Sequence, residues 1–288
     1  MTRIEIHDNG KAALMPSGWD ECAPRQTRRI FRLWSRCVRR GSSPLEFSVR
    51  ALRLLLGVRR TFRGLFRPVP PELAENTYLL CERCLGFLGP EGSASPVYDS
   101  VRNPLPRAFS GMTPLRGPAD LLSDLTFGEF RHAAASLEAF SKGGRAEDLD
   151  ECLAFLWRFP SLTADKAGRR VAGIGPESVR RHSRRVSRLP LWKRTLAAQW
   201  FGACLRRLQT GVIGIDGEEV ELERLFASGE GRGGGPALGW GDLLVETARG
   251  GALGDIDGVD AAPLFSVLLI MWHNYKEQKI YERNSRGK

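Results

Sequence analysis

Arg25 to Arg40 reads RQTRRIFRLWSRCVRR, and this stretch decides the fold class. Ile30, Leu33, Trp34, Cys37 and Val38 recur at the i, i+3, i+4, i+7 and i+8 spacing of a helix with one apolar face. Arg25, Arg28, Arg29, Arg32, Arg36, Arg39 and Arg40 take up the rest of the surface. Gly41 follows, where a left-handed cap is expected. A second helix is predicted at once. Ser43 stands as N-cap, Pro44 occupies the first helical position and Glu46 completes a capping box, with Phe47, Val49, Leu52, Leu54 and Leu55 as its apolar positions. So short a connection predicts antiparallel packing.

The same reading extends to both ends. Arg3 to Ile6 alternates polar and apolar residues, Asn9-Gly10 is a type I′ turn signal, and Lys11 to Met15 returns, so an N-terminal β-hairpin is predicted. A third helix is expected over Pro71 to Phe87. Thr126 and Glu129 form a second capping box ahead of Phe127, Phe130, Ala134, Leu137 and Phe140. Helices follow over Glu147 to Phe159, Leu191 to Leu208 and Gly239 to Arg249, and a last one begins at an Asp260 cap. Leu191 to Leu208 turns Trp192, Leu196, Trp200, Phe201, Cys204 and Leu208 to one side. The fold class expected is mainly α, with helical bundle-like domains and a short N-terminal β-hairpin. The predicted organisation is a hairpin plus helices over 1–90, a linker or long loop over 91–118, rich in Gly, Pro and Ser, and a helical region over 119–288.

Charge comes in blocks. The net charge of +10 hides +10 over residues 1–67, −5 over 68–150, +10 over 151–215 and −5 over 216–288. The basic blocks therefore dock on the acidic ones or meet an external anionic partner. Arginine supplies most of the positive charge; a GC-rich genome gives the same bias, but arginine also suits carboxylate and phosphate recognition. Arg28, Arg32 and Arg36 on the first helix, and Arg180, Arg181, Arg184 and Arg185 within RRHSRRVSR, are the candidate contacts for an anionic partner. A solvated helix face is the bland alternative for both.

Other motifs fail at stated positions. Cys81 and Cys84 form a lone CxxC inside a predicted helix, whereas structural zinc needs four ligands and a redox pair sits at a helix start after a strand. Asp255, Asp257 and Asp260 lack the calcium-loop spacing, since Gly258 stands at position 4 and Ser266 at position 12. GEGRGGG over 229–235 is followed by Pro236 rather than Gly-Lys-Ser/Thr. No catalytic constellation, metal site or cofactor is therefore expected. The N-terminus lacks an export-type apolar core, the longest apolar run is too short to span a bilayer, and six scattered cysteines suit a reducing compartment. A cytoplasmic chain without a membrane span is expected.

Several segments carry a resemblance. Pro16-Ser-Gly-Trp-Asp-Glu21 with Arg25-Gln26, Leu125-Thr-Phe-Gly-Glu-Phe130, Gly239-Trp-Gly-Asp-Leu-Leu244 and Gly254-Asp-Ile-Asp-Gly-Val-Asp260 are similar to short motifs of uncharacterised helical bacterial proteins from prophage and phage-tail regions. Leu156-Trp-Arg-Phe-Pro160 departs in part from their pattern. The resemblance implies a non-enzymatic interaction or assembly protein, an accessory or chaperone of a phage-like element, with a protein partner and no catalytic residues to carry over. Nucleic-acid binding by the arginine-rich helical faces is the alternative. Trp19-Asp-Glu and Leu125-Thr-Phe-Gly-Glu, each ahead of an amphipathic helix, also resemble one another, as a diverged duplication or as two N-cap segments.

Overall fold

The computed structural model describes the chain except residues 7–10, 58–70, 91, 92, 94, 161–174, 225–239 and 287–288. The Asn9-Gly10 turn and the GEGRGGG segment lie outside the described residues. The chain is mainly α. In order come β1 (Thr2–Ile6), β2 (Lys11–Met15), α1 (Pro24–Arg40), α2 (Pro44–Leu55), α3 (Pro71–Cys84), β3 (Arg107–Ser110) and β4 (Thr113–Arg116). Then follow α4 (Phe127–Gly143), α5 (Ala146–Leu156), α6 (Pro176–Val186), α7 (Leu191–Thr210), β5 (Val212–Ile215) and β6 (Glu218–Glu221). The chain ends with α8 (Trp240–Arg249), α9 (Ile256–Ala261) and α10 (Leu264–Arg286). Among the described residues, no helix is long and apolar enough to cross a membrane.

Among the described residues the strands form three separate antiparallel hairpins. In the first, Thr2 faces Met15 and Ile6 faces Lys11. The second falls inside the stretch read as linker or long loop. Its strands are four residues each, too short for alternation to stand out, and they turn on Gly111 (φ +61°). The third carries a plainer signal that the sequence reading passed over. Asp216 (φ 50°) and Gly217 (φ 85°) make the turn, as Asp-Gly does in type I′ hairpins. Ile213, Ile215 and Val220 are buried.

The order of elements repeats. Thr2, Arg107 and Val212 open the three hairpins at even spacing. After each of the first two comes a single 3-10 turn, at Trp19–Glu21 and at Asp120–Leu122. A 17-residue helix follows in each case, α1 or α4. Each of those helices ends on a left-handed glycine, Gly41 (φ 63°) or Gly144 (φ 67°). A shorter helix comes next, α2 or α5, then α3 or α6. This recurrence gives a structural counterpart to the likeness between the Trp19 and Leu125 segments.

Two compact units result. The first comprises Met1–Leu105 with Pro190–Trp200, and the second Pro106–Leu189 with Phe201–Lys288. Helix α7 thus contributes its first half to one unit and its second half to the other. In the first unit Trp19 lies against Phe31, Phe87 and Tyr98, and its indole N–H donates to the Val97 carbonyl at 2.6 Å. Trp200 donates to the Val101 carbonyl at 2.9 Å. The Gln199 amide accepts from the Tyr98 N–H and donates to the Ser95 hydroxyl, both at 2.9 Å. These contacts explain why 95–105 and 190–200 fold together despite their separation in sequence.

In the second unit Phe130 packs edge-on against Trp240, with centroids 4.5 Å apart, and against Phe201. Thr126 caps α4 as read, accepting from the Glu129 N–H at 3.2 Å. The start of the last helices differs from the expectation. Asp255, not Asp260, is the cap, accepting the Gly258 N–H at 2.9 Å to begin the short α9. Pro263 then separates α9 from α10. Asp260 instead receives the Arg131 guanidinium, at 2.6 and 3.3 Å.

Candidate partner-binding surfaces

Helix α1 buries Thr27, Ile30, Phe31, Ser35 and Cys37. Its apolar stripe is wider than this buried face. Leu33 and Trp34 are only half-buried, and Val38 is 51% exposed. The unburied edge of the stripe, at Val38, is the first sign of an apolar surface on this helix.

The α1 arginines divide by role. Arg28 is half-buried and donates to the Pro104 carbonyl at 3.0 Å. Burial, then the charges of Arg25 and Arg32, hold its pKa below the usual guanidinium value. Arg32 lies over the Trp192 ring, 5.2 Å from its centroid, a cation–π contact. Arg36 is exposed. Among the described residues no α1 arginine makes an ion pair, and the helix itself contains no carboxylate. Within the first unit, the idea that this basic block docks on an acidic one therefore has no ion pair to support it.

Helix α6 carries the second cluster. Val179, His182 and Val186 are buried, Arg180, Arg181 and Arg184 are exposed, and Arg185 is half-buried. The Arg185 carbonyl accepts from the Ser110 hydroxyl at 2.7 Å. His182 fixes the helix. Its Nε2 accepts the Phe159 N–H at 3.1 Å, which leaves the proton on Nδ1, 2.7 Å from the Ser178 carbonyl. This cluster and the α1 cluster belong to different compact units.

The remaining motifs have local explanations. Cys81 is buried and Cys84 half-buried on α3. Burial raises both thiols above their ordinary pKa, the opposite of an activated thiolate. Among the described residues no three His, Cys, Asp or Glu side chains group as metal ligands.

One surface was not singled out from sequence. In the first unit, α1, the α1–α2 turn, α2, α3 and described residues between Leu85 and Pro90, with Ser93, Ser95 and Pro96, line a groove of about 400 Å³. Trp34, Val38, Leu45, Phe47, Tyr78 and Leu85 line it, with Glu82 the one carboxylate among the described lining residues. Leu45 and Tyr78 are each 50% exposed. The signal was present in the wide stripe of α1 and in Leu45, an apolar residue in the first turn of α2. What exposes them is the packing of three helices. Comparison with protein-family models, with curated proteins and with solved structures found no match to this chain.

Proposed function

We propose that this chain is a non-enzymatic interaction and assembly protein that engages an acidic protein partner. The observation that carries the reading is α1: seven arginines, no carboxylate, and no ion pair among the described residues. Such a surface is stable in water but favours an approaching anionic one, and it raises association rates by electrostatic steering. The resemblance to prophage and phage-tail proteins supports a role in the assembly of a phage-like particle, with the chain as accessory or chaperone. Affinity capture with products of the genes flanking its own tests the reading. A partner retained by the natural chain and released when Arg29 and Arg36 are changed to Glu is expected. Unchanged capture by that double variant, or capture of no neighbour at all, removes the reading.

The exposed face of α6 supports a second reading, nucleic-acid binding by Arg180, Arg181, Arg184 and Arg185. Affinity for a duplex or single-stranded oligonucleotide would then fall steeply with salt, by the slope expected of counterion release. Changing the four arginines to Ala would abolish it. Salt-independent or absent binding excludes this alternative.

A further inference from the structure

The repeated order of elements provides an internal control. Helices α4, α5 and α6 follow the second hairpin as α1, α2 and α3 follow the first. Among the described residues, α4–α6 expose no large apolar side chain, whereas α1–α3 expose Val38, Leu45, Tyr78 and Leu79. The same succession of helices thus closes over its apolar residues in one unit and leaves a groove in the other. Helix α3 makes the difference plain: of its residues with described burial, from Ala74 to Cys84, only Cys81 is buried. Three of these, Val38, Leu45 and Tyr78, line one groove, a grouping rather than the single scattered exposures that are normal on a monomer.

Charge and shape indicate what fits there. The wall formed by α1 and α2 is basic. Arg39 and Arg40 follow Val38 and are exposed, and Arg53 of α2 lies close enough to act on the Cys81 thiol in the groove. The amino end of α2, at Ser43 to Leu45, adds the positive end of a 12-residue helix. Among the described lining residues Glu82 is the one carboxylate, and Glu46 in the first turn of α2 is paired with Arg50. Among the described residues the walls are helices and a loop, with no unpaired strand edge to add an extended peptide. An amphipathic helix laid in the groove is the mode that such walls accept. Volumes of about 300–1,000 Å³ are usual for small-ligand pockets, so this groove takes only one or two large anchor side chains.

We infer that the α1–α3 groove of the first unit receives an amphipathic helix of a partner protein, with apolar anchors at i and i+3 or i+4 and carboxylates on its flanks. This inference rests on the interaction reading and adds to it the site and the class of segment bound. A labelled 18-residue helical peptide, with Leu and Phe at the anchor spacing and Glu elsewhere, tests it on the full chain by fluorescence anisotropy. Two further peptides serve as controls, one with Lys for Glu and one with the same composition scrambled.

The Glu peptide is expected to bind, and more weakly as ionic strength rises through the range that screens surface charge. It should lose at least about tenfold in affinity against V38E or L45E, since each puts a carboxylate at the mouth. Both positions are half exposed, so circular dichroism and melting should match the natural chain. R184E on α6, in the second unit, should bind as before. Equal binding of the scrambled peptide, or of the natural chain and both groove variants, overturns the inference. So does a dimer in sedimentation that L45E dissolves, because a second copy would then fill the groove. If a natural partner is held by V38E and L45E but lost when Arg29 and Arg36 are reversed, the groove assignment fails while the interaction reading stands. If it survives both sets of changes, both fail.

Discussion

The Arg158 guanidinium meets the Glu129 carboxylate at 2.8 Å, with their side chains 1% and 10% exposed. Glu129 also accepts the Thr126 N–H in the capping box of α4, while Arg158 donates from Nε to the Phe155 carbonyl at 3.1 Å. The Arg158 backbone exchanges hydrogen bonds with Arg116 of β4, at 2.7 and 3.0 Å. One ion pair therefore ties the start of α4 to the end of α5, at a residue already bonded to the second hairpin. Taking a charge out of water is costly unless its partner stays in place. R158M, which strands Glu129, is expected to destabilise the second unit by about 3–5 kcal/mol in urea unfolding. The double change R158M with E129L should recover much of this. A single variant as stable as the natural chain would show the pair to be dispensable.

His182 predicts a pH dependence. Burial, opposed by the Ser178 contact and reinforced by the charges of Arg158 and Arg181, lowers its pKa below the ordinary imidazole value. The unfolded chain therefore takes up this proton first as pH falls, near pH 6.5. No penalty exists above that value. Stability declines from there down to the folded pKa, and below it the loss is complete. Urea midpoints between pH 7.5 and 5 should fall more steeply for the natural chain than for H182N. Superimposable profiles would contradict the neutral, bonded imidazole.

The two helix caps can be compared directly. T126A removes the side chain that accepts from Glu129, and S43A the one that accepts from Glu46 at 3.2 Å. Each is expected to cost about 0.5–2 kcal/mol in thermal or urea unfolding. T126A should lie toward the upper end, because its box is reciprocal and Glu129 is engaged with Arg158.

Thiol reactivity should be graded by burial. Five of the six cysteines are buried and Cys84 is half-buried. Burial pushes the Cys22 thiol up to about 12 and raises Cys152 and Cys204 as well. Alkylation near neutral pH, followed by peptide mass mapping, should mark Cys84 first and leave Cys152 and Cys204 unmodified until the chain unfolds. Early labelling of Cys152 would place its helix face toward solvent.

The N-caps at Ser43 and Thr126, the left-handed Gly41 and the α7 stripe from Trp192 to Leu208 were legible because each depends on neighbours within one or two turns; the box expected at Ser43 forms only by half, since the Glu46 carboxylate turns to Arg50 one helical turn on. The N-terminal hairpin was legible for the same reason. Asp260 was misread because an acidic residue ahead of an apolar run looks like a cap. Its partner, Arg131, lies far away in sequence on α4. The second hairpin escaped notice because four-residue strands carry little periodicity of their own, and the third because its Asp216-Gly217 turn signal stands between strands equally short. Their even spacing becomes meaningful only once their strands are paired.

Sequence alone determined a mainly helical chain and its arginine-coated helices, since helix periodicity and charge are properties of local order. It could not determine how much of each apolar stripe is buried. Trp34, Val38 and Leu45 are as apolar as the core residues beside them. Whether α3 covers them depends on the packing of helices brought together from separate stretches, and only the tertiary structure decided that a groove remains.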